Sequence, residues 1–453
     1  MSAFPAMALA ACCLASLAAQ IPPEERPAAS GPVAVFTEHP RLFLRPQRLR
    51  LLKRERERQS PRWLQLEALV KSGTPLPEPG FTQALYYRVS GDDAVGRQAV
   101  SWALSPAAGL RQMALVFDWC QDVLSEAQKH DLAARISKAM GALAADEGVD
   151  AARSRALAAV ALYDDLPDGP PRELERLVRV WWEGRIAPAL NQGRRAIARD
   201  DAYALYELLH AVRDNTNLDL RDACPKFFIA LPRSRLMSYY PAAYPSPEND
   251  FRIGAGPNAA EPDLRLAALS RAADLAMVNY DANAPDTQWL QGWLMHDSFT
   301  MQGAFGAPYE FLWANPYQPG LSFYHLPLAY HDALRGDLFV RSDWEDSAAW
   351  FGYFDGVAQR FENGRLTVID PRQSPPVRMA PAVVYMGPGA RMFRAAVTEG
   401  QAVFLTGLEP RRAYQVEIDD EEMYEAETDP GGILELDLPH DRDVGVRVRE
   451  SVQ

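Results

Sequence analysis

In the stretch DDAYALYELLH, Tyr203, Tyr206 and His210 stand three and four residues apart, a spacing that lines them along one face of a helix. Phenol and imidazole groups set together suit acid–base work, one removing a proton and another delivering it. Tyr206 or Tyr203 would serve as acid or base, with His210 beside it. The same spacing equally describes an amphipathic helix whose aromatic side packs inward. A second concentration, MSYYPAAYPSPENDFRIG, is broken by prolines into a loop and carries Tyr240, Glu248, Asp250 and Arg252. Aromatic faces with carboxylate and guanidinium groups on a loop suit sugar rings, and a plain structured loop is the alternative. Trp289, Trp293 and His296 in QWLQGWLMHDSF, with His325 in SFYHLP, make a third group. Buried His and Trp are more often packing residues than ligand contacts.

The elements that must position these residues change character along the chain. From residue 41 to about 300 the pattern is helical. Ser60-Pro61 is a cap followed by an N1 proline, and Ser125-Glu126-Ala127-Gln128 is a capping box. Helices are expected over Leu110–Leu124, Arg153–Tyr163, Pro171–Leu190, Arg199–Arg213 and Leu264–Asn279. From Leu338 onward the period is two: Tyr414, Val416 and Ile418, then Leu434, Leu436 and Leu438, then Val444, Val446 and Val448 alternate with polar residues. The run Asp419-Asp420-Glu421-Glu422 reads as a solvated hairpin rather than a calcium loop. RSDWED is expected to form a turn in which Arg341 contacts Asp343 or Glu345.

With 453 residues, 48% hydrophobic and 24% charged, the chain is an ordinary globular protein of more than one domain. A net charge of −13 argues against nucleic-acid binding, although an acidic chain can still carry a local arginine-lined cleft. Residues 1–19 read as a signal peptide and 20–38 as a linker, so an exported protein, periplasmic or extracellular, is expected. LAAC at Leu9–Cys12 also fits a lipoprotein box. No other run approaches membrane-spanning length. Cys120 and Cys224 remain after the leader, and Cys120 suits a core position; nothing in the sequence requires them to pair. Without CxxC, HExxH or a His/Cys cluster, neither metal nor cofactor is expected.

Three ordered stretches resemble the heparinase II/III-like and alginate-lyase superfamily of polysaccharide lyases. They are HPRLFLRPQRLRLLKRERE from His39, ALVFDWCQDVLSEAQKHDLAARI from Ala114, and GDLFVRSDWEDSAAWFGYFDG from Gly336. The resemblance implies an α+β multidomain architecture: an incomplete (α/α) toroid over residues 39–335, then an antiparallel β-sandwich over 336–453. It implies β-elimination on a uronate-containing polysaccharide or oligosaccharide. In that chemistry Asn or His neutralises the sugar carboxylate and Tyr or His removes the C5 proton. The chain departs from that pattern. No histidine lies between His331 and His440, and the early helical position offers Arg153 and Arg155 instead of Asn or His. A non-catalytic glycan-binding or cell-envelope protein is therefore a second reading. A glycoside hydrolase using two carboxylates across a cleft is a third.

Overall fold

The computed structural model describes residues 31–143, 148–244, 252–256, 263–297, 300–371, 374–387, 391–439 and 442–451. The chain divides into two units, Met1–Pro32 and Val33–Gln453, and every named element belongs to the second. The expected signal peptide, the lipoprotein box, and Glu248 and Asp250 lie outside the described residues.

The helices are α1 (Pro46–Glu57), α2 (Pro61–Lys71), α3 (Pro79–Ser90), α4 (Asp93–Ala103) and α5 (Leu110–Trp119). Next come α6 (Glu126–Ala142), α7 (Val149–Ala161), α8 (Gly169–Glu175) and α9 (Ala187–Asn191), the last two joined by a π-wound segment, Arg176–Ile186. They are followed by α10 (Ala202–Thr216), α11 (Pro225–Ser238), α12 (Leu264–Tyr280), α13 (Pro285–Asp297) and α14 (Gly303–Trp313). The expected starts hold: Ser60 Oγ accepts from Trp63 N, and both bonds of the Ser125–Gln128 capping box form. Helices α3, α5, α7, α10, α12 and α14 pack in succession, and α14 returns to α3.

The first two resembling stretches meet each other. Buried Asp118 accepts from the backbone N–H of Arg41 and Leu42 and from His39, while Trp119 Nε1 donates to Leu42 O at 2.8 Å. Residues 33–38, at the end of the expected linker, pack on the helices. Phe36 N donates to Asn215 O at 3.0 Å, and Val33 N to Glu175 at 2.8 Å.

The strands are β1 (Ala329–Asp332), β2 (Asp337–Arg341), β3 (Trp350–Phe354), β4 (Val357–Glu362), β5 (Arg365–Ile369) and β6 (Val377–Arg378). The rest are β7 (Ala382–Met386), β8 (Arg391–Ala395), β9 (Ala402–Thr406), β10 (Ala413–Ile418), β11 (Glu422–Glu427), β12 (Leu434–Leu436) and β13 (Val444–Glu450). They form three sheets, β1-β2-β3-β4-β5, β12-β9-β7-β6 and β11-β10-β13-β8. Strand alternation stacks them in layers. Phe339, Trp350 and Phe354 of the first sheet join the helical core, while Leu338, Val340 and Phe351 face Val384 and Phe404 of the middle sheet. Val383 and Leu405 on the middle sheet's other face meet Val416 and Val446 of the third. Gly352 leaves room for the Trp350 indole, whose Nε1 donates to Met237 O at 2.9 Å.

Two expectations are corrected. The β part begins at Ala329, seven residues before Gly336, because β1 pairs with β2 across a turn closed at Gly336. The sheets are also not wholly antiparallel: β7 and β9 run parallel. Alternation fixes which face a residue takes but not the direction of its neighbour.

His331 on β1 joins strands distant in sequence, with Nε2 2.8 Å from Asp429 and Nδ1 3.4 Å from Glu435. Burial pulls its pKa down, but the two carboxylates outweigh that and raise it above its ordinary value. A raised folded pKa contributes stability at acid pH that is lost as pH climbs through the folded value. His331→Gln should flatten that fall in Tm between mildly acidic and mildly alkaline buffers.

Candidate functional site

The three candidates on α10 point into three different environments. Tyr203 is sealed in the core, donating to Glu207 Oε1 at 2.8 Å and accepting from Trp313 Nε1 at 2.9 Å. Burial and the Glu207 carboxylate push its phenol pKa far up. Its hydroxyl is committed on both sides, so it holds structure.

Tyr206 is buried along the wall of a separate cavity of about 320 Å³, with Arg221, Asp281 and Asp286. Its hydroxyl makes no hydrogen bond among the described residues, and burial drives its pKa upward despite Arg221. Such a phenol keeps its proton and suits donation better than proton removal. Arg221 is itself held by Asp219 at 3.0 Å and Asp281 at 3.2 Å. Removing an unbonded hydroxyl costs little, so Tyr206→Phe should change stability by about 1 kcal/mol or less in denaturant melts.

His210 reaches the largest cleft described, about 910 Å³, a size typical of ligand sites. Its Nε2 donates to Ala276 O at 3.0 Å and its Nδ1 faces Asp214 at 3.3 Å. Both ring nitrogens are engaged with protein oxygens, so neither is directed at a molecule in the cleft. Burial would raise the Asp214 carboxyl, but His210 and Arg213 outweigh it and hold the carboxyl down at about 2.

The opposite wall of this cleft comes from α1. Leu52 and Glu55 turn toward the body, where Glu55 pairs with Arg62 at 2.7 Å, and Arg48, Arg50 and Arg54 are left on the cleft side. Arg45, Arg48, Arg50, Arg54 and Arg213 line the cleft, and among the described residues Asp214 is the only carboxylate in the lining. Arg45, Arg50 and Arg54 are exposed and form no ion pair among the described residues. Arg48 is half-buried, 6.0 Å over the Trp313 ring, with Nη1 buried and unpartnered; burial pulls its pKa down to about 10 against the pull of Asp214. Tyr317 adds a half-exposed ring whose hydroxyl accepts from Arg58 at 2.9 Å. Sequence reasoning missed this set, although RPQRLRLLKRERE is conspicuously basic for so acidic a chain.

The remaining candidates gather elsewhere. Tyr240 donates to Gln359 at 2.8 Å and stacks on Phe361 where helices meet the first sheet, beside a pocket of only about 140 Å³. The large cleft lies away from this junction, lined by residues of the helical half. The junction is instead tied shut: Arg199 donates to Asp337 at 2.7 Å and to Asp355 at 3.1 Å. Arg252, Trp293 and His296 are brought together: Arg252 lies 5.2 Å from the Trp293 ring centroid and pairs with Asp297. His296 is exposed, edge-on to Phe323 and Tyr324. Trp289 is half-buried under Arg233, and His325 is exposed. Arg153 and Arg155 are spent on carboxylates, Glu207 and Glu173.

Cys120 and Cys224 are both buried and free, and burial pushes the Cys224 thiol up to about 12. Among the described residues no helix is long and apolar enough to cross a membrane.

No family model matches the chain, and no curated protein matches it. One solved structure, described as a glycoside hydrolase, aligns with 83% of this chain and 71% of its own at 11% identity and a TM-score of 0.32. A likeness that slight carries no argument about activity.

Proposed function

We propose that the protein binds an acidic carbohydrate, of the uronate-containing class, in the cleft between α1 and the C-terminal ends of α10 and α14. The observation that carries this reading is the set of five guanidiniums facing one already paired carboxylate in an open space of about 910 Å³. Arginine's planar fork matches carboxylates in pairs of hydrogen bonds, and its exposed members retain their charge without a protein partner. The helical succession that returns on itself suits the toroid implied by the resemblance, and export would place such a protein among extracellular glycans.

Binding without cleavage is the form the geometry favours. His210 has both ring nitrogens engaged by protein oxygens, Tyr203 is sealed in, and Tyr206 opens on another cavity. A hydrolase would need two carboxylates across the cleft, where the lining offers Asp214 alone. β-Elimination is the second reading, favoured by Tyr317, whose hydroxyl shares the cleft with Arg45 and the three α1 arginines Arg48, Arg50 and Arg54 and is oriented by Arg58.

Calorimetric titration with uronate oligosaccharides and with neutral glucans of equal length tests the binding reading. Uronates should bind with an affinity that falls as salt rises. Equal binding of neutral glucans, or none of either, overturns it. Ultraviolet absorbance from an unsaturated uronate, lost in Tyr317→Phe, would establish the second reading.

A further inference from the structure

The turn expected at RSDWED forms, but without Arg341. Ser342 and Asp343 close it by accepting from Ala349 N and Glu345 N, and Arg341 turns inward at the end of β2. Its side chain is fully buried, and Nε, Nη1 and Nη2 all lack a partner among the described residues. The guanidinium carbon lies 4.6 Å from the Trp344 ring centroid and 5.5 Å from that of Trp293, with the two rings 6.3 Å apart. Both indole Nε1 atoms are also buried and unpartnered.

The guanidinium and the two neighbouring indoles thus bring together buried nitrogens that can only donate. An unpaired buried guanidinium is among the costliest arrangements in a fold, and an apolar side chain of similar volume would avoid that cost. Neighbouring charges do not relieve it. Arg252 is a like charge committed to Asp297 and Asp346, and Asp343 acts only at longer range. Water is a poor match, because its own hydrogens would need acceptors that donors cannot supply. An anion accepts from every side. The nitrogens are shut off from solvent, which limits the occupant to a small one.

We propose that Arg341, Trp293 and Trp344 form an enclosed site for a small monovalent anion of halide or formate size, which secures α13 to the β2–β3 turn. The site is separate from the α1 cleft, which none of the three residues lines.

Thermal unfolding of the full chain, titrated with chloride or formate at constant ionic strength against a bulky counter-anion, tests it, with sulfate as the oversized control. Chloride and formate should raise Tm by about 2–4 °C and then saturate, and sulfate should not. Trp344→Phe keeps a ring against Arg341 and removes one donor, so half of the rise should require about 10-fold more chloride, one lost hydrogen bond's worth. Arg341→Met should abolish the rise. If that variant does not fold, Trp344→Phe decides alone. A wild-type Tm flat in chloride and formate, an equal rise with sulfate, or an unshifted Trp344→Phe titration overturns the proposal.

Discussion

Glu207→Gln is expected to destabilise the protein by about 3–5 kcal/mol, measured as a shift in denaturant midpoint, because it breaks a buried charge network from its centre. Glu207 is fully buried on α10 and accepts from Arg111 at 2.6 and 2.8 Å, from Arg153 at 2.5 Å and from Tyr203 at 2.8 Å. These partners come from α5, α7 and α10, so one carboxylate fastens three successive helices. Burial alone would raise its pKa, but Arg111 and then Arg153 outweigh it and bring the carboxyl to about 2. A depressed folded pKa means stability that is fully present above the unfolded value near 4.5 and lost as pH falls from there toward 2. That contribution is about 3 kcal/mol. Glu207→Gln should therefore lose its own share of the acid sensitivity of unfolding along with its stability, leaving that of Asp214 in place. A cost below about 1 kcal/mol would mean that the two arginines find other acceptors, and the network would not be the clasp described.

What the sequence made legible was local. Ser60-Pro61 and the Ser125–Gln128 box announce helix starts because the signal and its satisfied donor lie within three residues. Val444, Val446 and Val448 announce a half-buried strand because the alternation is itself the strand's geometry. The site was not legible for the same reason inverted. His210 and Tyr206 share a helical face, but what each faces is set by Ala276 and Asp214 in one case and by Arg221 and Asp281 in the other. Arg341 shows the limit most clearly. Its near neighbours Asp343 and Glu345 looked like its partners, whereas Trp293, 48 residues earlier, and the layer packing decided where it went. The Asp118 clasp on Arg41 and Leu42 gives the first two resembling stretches a physical reason to occur together, which spacing alone did not supply.

The double variant Arg48→Glu/Arg54→Glu should weaken binding of a uronate oligosaccharide about 100-fold, as the loss of two charge-assisted contacts of ~1.5 kcal/mol each implies. Both residues line the cleft from α1, and neither has an ion pair among the described residues to lose. Exposed Arg54 should cost almost no stability, whereas Arg48 gives up its place over the Trp313 ring beside Asp214, so Tm is measured alongside to confirm that the variant is folded. Net charge is the obvious confounder in a chain at −13, since any such change makes approach of an anion less favourable. Arg172→Glu answers it. Arg172 sits on α8 with its side chain 82% exposed and only a loose 3.6 Å contact to Asp168, so it alters net charge outside the cleft lining. One reversal changes net charge by two units, so the single variants Arg48→Glu and Arg54→Glu match the control, and a difference between them and Arg172→Glu measures placement and not total charge. Titrations at low and raised salt sharpen the comparison, because the exposed Arg54 contribution is screened over about 8–10 Å while that of half-buried Arg48 is screened less. Loss confined to the α1 variants places the carbohydrate against this helix. Equal loss in Arg172→Glu would reduce the arginine-lined cleft to a bystander of long-range charge.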